Sequence, residues 1–78
     1  MSLQPGLYQH YKGPQYRVFN VARHSETEEH VVFYQALYGD YGFWVRPLSM
    51  FLETVTVEGE QVPRFALIEP EPSLFSRP

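Results

Sequence analysis

The sequence predicts an all-β fold, a small SH3-like barrel of about five strands. Short runs rich in Val, Phe and Tyr recur along the chain, and clusters bearing Gly and Pro separate them. Only Leu48 to Leu52 offers helical spacing, and only for one turn, which at that length is expected as a 3₁₀ piece before the last strand. A closed or nearly closed sheet also suits a chain with few lysines to guard exposed edges.

The first expected strand, Gly6 to Tyr11, stops at Lys12-Gly13-Pro14, where glycine admits a positive φ and proline lacks a backbone donor. Tyr16 to Arg23 is the second. Its apolar residues fall on both parities, Tyr16, Val18 and Ala22 against Phe19 and Val21, so a bulge or strong bend is expected at Phe19-Asn20. His24 to Glu29 is polar, holds three carboxylates and reads as a loop. His30 to Tyr38 contains Val31, Val32, Phe33 and Tyr34 in succession, which marks a central strand covered on both sides. Gly39-Asp40-Tyr41-Gly42 then turns the chain into Phe43 to Pro47, forming a hairpin that Pro47 ends. Glu53 to Glu58 alternates as a half-buried strand closed by Gly59, and Arg64 to Ile68 offers a short pairing segment. One domain over residues 1–68 is expected, with residues 69–78 as a proline-rich extended tail in which Leu74 and Phe75 dock on the barrel or on a partner.

The 78 residues include 44% hydrophobic and 17% aromatic side chains, with a formal net charge of −3. A chain this size buries only about 63% of the surface its unfolded form exposes, so the thin core must use its aromatics efficiently. With no cysteine, neither disulfides nor thiolate-rich zinc sites hold the fold, and a cytoplasmic location is expected. Neither a leader nor a membrane span is expected, since no apolar run approaches about 20 residues. The acidic balance disfavours a nucleic-acid backbone partner, which needs a basic stripe.

Several motifs occur in order: His10-Tyr11-Lys12-Gly13, Ala22-Arg23-His24-Ser25-Glu26-Thr27, Tyr34-Gln35-Ala36-Leu37-Tyr38-Gly39, Trp44-Val45-Arg46-Pro47, Met50-Phe51 and Pro63-Arg64-Phe65. Over about Gly6 to Phe65 the chain resembles a small bacterial family known only as a domain of unknown function. The resemblance implies a stand-alone, mostly bacterial domain with no assigned activity.

The chemistry must come from the residues themselves. Trp44 and Arg46 share one parity of the fourth strand; with Val45 facing the core, indole and guanidinium point outward together. An arginine beside an aromatic face can stack while its fork binds a carboxylate or phosphate. With Tyr34 across the hairpin and Arg23, His24 and Glu26 at the neighbouring strand end, these residues form the expected site: Arg23 and Arg46 for charge, Tyr34 and Trp44 for stacking, His24 and Glu26 as rim. The expected function is a non-enzymatic module binding a small anionic ligand or a protein's acidic group, with neither metal nor cofactor. The competing structural role has the arginines pair with Glu26, Glu28 or Glu53, and Ser25 or Thr27 cap a turn. Three further readings stand beside it. One is a small hydrolase or metal enzyme using His24, Glu26 and His10. Another is a low-affinity RNA binder using Lys12, Arg17, Arg23 and Arg46. The third is a homodimer through Tyr38, Tyr41 and Phe43.

Overall fold

The computed structural model describes residues 3–72. Seven strands and one short helix follow in order: β1 Gly6–His10, β2 Gln15–Arg23, β3 His30–Ala36, β4 Phe43–Pro47, α1 Leu48–Phe51, β5 Thr54–Val57, β6 Glu60–Pro63 and β7 Phe65–Pro70. The fold is all-β. Five strands form an antiparallel sheet of order β4-β3-β2-β1-β7, and β5 and β6 form a separate hairpin. No helix of the described residues is long and apolar enough to cross a membrane.

The expected bulge is present. Register shifts between Val18 and Asn20, so Val21 pairs with Val32 and joins Tyr16 and Val18 on one face of the sheet. That face carries the core: Tyr8, Val18, Val32, Tyr34 and Phe65, closed over by Leu48 and Phe51 of α1. Phe51 is the hub. It stacks on Phe65 with ring centroids 4.2 Å apart and meets Tyr8 edge-on at 5.4 Å. Such pairs contribute about 0.5–1.5 kcal/mol each beyond the area they bury.

The sheet does not close into a hydrogen-bonded barrel: among the described residues β4 and β7 are its two edges. It curls instead. The Arg46 guanidinium, from edge β4, lies 5.6 Å from the Phe65 ring centroid on edge β7, so side chains span the gap that backbone bonds do not. The turn before β5 is α-helical, since Leu52 N–H donates to Leu48 O at 3.0 Å, an i to i−4 bond that aligns Leu48 and Phe51 toward the core. Nor does that turn precede the last strand. Glu58 and Gly59, both at positive φ, make a two-residue turn into β6, and β7 follows.

Val45, expected inward, faces out on the opposite side of the sheet and is 62% exposed. Trp44 and Arg46 instead share the core-bearing face, in register with Tyr34 and Val32. Because β4 is an edge strand, that face is left uncovered at Trp44, which is 58% exposed. Residues 69 and 70, assigned by sequence to the extended tail, pair with β1, and Glu71 N–H donates to Pro5 O at 3.0 Å. The docking expected of Leu74 and Phe75 falls outside the described residues.

Candidate functional site

The six residues expected to form one site lie in two places. Arg23 and His30 are paired at the far end of β2 and β3, and Arg23 contacts Glu28 at 3.5 Å across an exposed turn. His24 organises that turn: its Nδ1 accepts the backbone N–H groups of Glu26 at 3.1 Å and Thr27 at 3.3 Å. Thr27 Oγ1 adds a bond from Glu29 N–H at 3.3 Å. Thus Arg23, His24 and Glu26 serve a solvated turn. His10 sits beyond the opposite end of β2, about 26 Å away along a nine-residue strand. The set of His10, His24 and Glu26 required by a hydrolase or metal enzyme is therefore not assembled. Among the described residues, no three His, Asp or Glu side chains converge as metal ligands.

Tyr34, Trp44 and Arg46 do come together. With Tyr16, Ala36, Tyr38, Gly39 and Asp40 they line a cleft of about 300 Å³ on the core-bearing face. Strand alternation places Trp44 and Arg46 on that face, and the β3–β4 turn carries Tyr38 and Asp40 to its rim. Tyr16 and Tyr38 hydroxyls lie 2.9 Å apart. Burial and that hydrogen bond push the Tyr16 hydroxyl up to about 12, while Arg46 opposes the shift. Both walls are therefore aromatic, and the Tyr16 phenol stays neutral at physiological pH.

The floor beside the cleft is Phe65. Arg46 lies over its face, while Tyr16 and His10 approach edge-on at 5.5 and 5.0 Å. His10 Nδ1 accepts the Lys12 backbone N–H at 3.1 Å, which leaves Nε2 as its proton-bearing nitrogen when neutral. Burial holds the His10 pKa below its ordinary value, and the charges of Arg64, Lys12 and Arg46 lower it further. Arg64 Nε is buried and has no hydrogen-bond partner among the described residues.

The charge balance separates this region from the rest. Arg17 pairs with Glu71 at 3.2 Å and Arg23 with Glu28. The remaining described cations, Lys12, Arg46 and Arg64, make no ion pair among the described residues, and all three act on His10. Sequence parity found Trp44 and Arg46. It missed Tyr16, Phe65 and the contribution of His10, because these come near Arg46 only through the curl of the sheet. A larger hollow of about 390 Å³ between Arg17, Phe19 and Glu71 has its cation already neutralised. The aromatics expected at a dimer contact are exposed but divided: Tyr38 borders the cleft, whereas Phe43 lies on the outer face against Phe19 and Phe33, at 6.0 Å from each.

A family model described as a protein of unknown function (DUF1653) matches residues 6–67. The crystal structure of a DUF1653 protein from Bordetella bronchiseptica is similar, with TM-score 0.76 and 40% identity, covering 88% of this chain and 95% of that one. No curated protein matches the chain.

Proposed function

The chain belongs to the DUF1653 family, and we propose that it is a non-enzymatic binding module that takes an anionic group at the seam between the two edges of its sheet. The observation that carries this reading is the Arg46 guanidinium, which lies over Phe65, lines the aromatic cleft and makes no ion pair among the described residues, in a protein of net charge −3. A guanidinium with no counter-charge at the edge of an open aromatic cleft attracts an anion. Arg46 is well placed to receive it. Its guanidinium is held over Phe65, which leaves the edge of the fork free for two parallel hydrogen bonds to a carboxylate or phosphate. Trp44, Tyr38 and Tyr34 would supply apolar contact for the body of the ligand, as an open aromatic cleft does. Arg23, His24 and Glu26 have no part in this reading.

Thermal unfolding with and without added anions tests it, because a ligand that prefers the folded state raises Tm. Phosphate or benzoate should raise Tm for the native chain and not for Arg46→Ala. An equal rise in both proteins would place the anion elsewhere.

A further inference from the structure

We propose that the C-terminal segment, residues 73–78, docks on the outer face of the chain's own sheet, with Phe75 set against the rings of Phe19, Phe33 and Phe43. This concerns the face opposite the cleft and does not depend on the anion-binding reading. While α1 covers the core-bearing face, the outer face is aromatic. Phe19 and Phe33 have ring centroids 5.1 Å apart, and Phe43 lies 6.0 Å from each. Val45, in register with Phe33, carries the patch onto edge β4. Phe43 is 61% exposed, close to the value for Val45. A contiguous apolar patch on a sheet face marks a surface that something covers.

The course of the chain after β7 points to what covers it. Glu71 is held from three sides: its N–H donates to Pro5 O at 3.0 Å, its carbonyl accepts Gln4 Nε2 at 3.1 Å, and its carboxylate accepts Arg17 Nε at 3.2 Å. Arg17 belongs to β2, whereas β7 pairs with β1, so the chain has by then crossed β1 toward the middle of the sheet. Pro72 next lines the hollow of about 390 Å³ with Arg17, Phe19 and Gln35. The last described residue therefore adjoins the first phenylalanine of the patch, and continuing the same course leads over β3 and β4. Pro70 and Pro72 favour polyproline II, whose three residues per turn put positions 72 and 75 on one side about 9 Å apart. That step reaches Phe33, whose ring lies 5.1 Å beyond Phe19. A short tether holds a segment at an effective concentration in the mM range, so one aromatic anchor suffices here where a separate peptide would need more contact.

The test is a nuclear Overhauser measurement on the full chain. Ring protons of Phe75 should give contacts to the Phe19, Phe33 or Phe43 rings or to the Val45 methyls, and a mixture of labelled and unlabelled chains should show that these contacts arise within one chain. Phe75→Ser in the full chain should remove them and lower Tm by about 4–8 °C, the fall that losing one partly buried ring brings in a domain this small. Amide shifts in that variant should concentrate on the outer-face residues Phe19, Phe33, Phe43 and Val45. Contacts that arise only between chains would overturn the proposal and make the face a contact between two copies. Contacts from Leu74 with none from Phe75 would overturn the choice of anchor. A folded chain in which Phe75 touches nothing on the outer face, or a Phe75→Ser variant of unchanged Tm, would overturn the docking itself and leave the face to a separate partner.

Discussion

Arg46 contributes to folding through Phe65 and to binding through its free donors, and substitution separates the two. Arg46→Ala removes a cation–π contact of about 0.5–1 kcal/mol, so the denaturant midpoint should fall only slightly while anion affinity drops about tenfold or more. A collapse of stability would mean that Arg46 serves the fold. His10 makes a pH-dependent prediction. Its folded pKa is depressed by burial and by Arg64, Lys12 and Arg46, so the unfolded chain takes up a proton at higher pH than the folded one. The stability linked to His10 is therefore full above about pH 6.5 and lost as pH falls through the lower folded value. NMR titration should find His10 below 6.5, and phosphate should raise it; an ordinary value insensitive to phosphate would remove His10 from the site. At this scale the sequence disclosed partners but not direction. Alternation tied Trp44 to Arg46, yet whether they or Val45 faced inward depended on which side α1 covers, and nothing within the strand records that.

Among the elements, β1 is tied to β7 by a backbone approach that only glycine permits. Gly6 has φ +147°, and a Cβ there would collide with the Glu69 carbonyl beside the register shift at Leu7/Tyr8. Gly6→Ala should cost about 1–3 kcal/mol in equilibrium unfolding; an unchanged midpoint would show that this edge yields easily. In α1, Phe51→Ala removes the ring on which Phe65 stacks and should cost about 3–5 kcal/mol, much of the stability of a domain this size. The strands with strong apolar patterns, β3 and β4, were legible. So was the bulge in β2, because Val18 and Val21 can share one face of a strand only where an extra residue shifts the alternation. The strand β6 was not legible. Of Glu60, Gln61, Val62 and Pro63 only Val62 is apolar, and it is half-buried, so pairing with β5 rests on the Glu58-Gly59 turn instead of on hydrophobic pattern. The α-helical turn was equally obscured, since four residues are too few to separate periods of 3.0 and 3.6.

For the whole molecule, the decisive feature is a sheet that curls without closing. A fully closed barrel would join β4 to β7 through backbone hydrogen bonds; here the two edges meet through Arg46 and Phe65, and the cleft opens beside Arg46 over β2, β3 and β4. The candidate site is thus built from residues as far apart in the chain as His10 and Phe65, which is why local motifs gave only its β3–β4 half. The polar cluster at 23–26 looked like a site because charge, imidazole and hydroxyl coincide there, but its hydrogen bonds are spent on its own turn. The most direct measurement is therefore a two-dimensional amide NMR titration of the native chain with phenyl phosphate, read residue by residue. Shifts centred on His10, Trp44, Arg46 and Phe65, with residues 23–29 unmoved, are the expected result. Shifts centred on residues 23–29, or none at saturating ligand, would contradict an anion site at the seam.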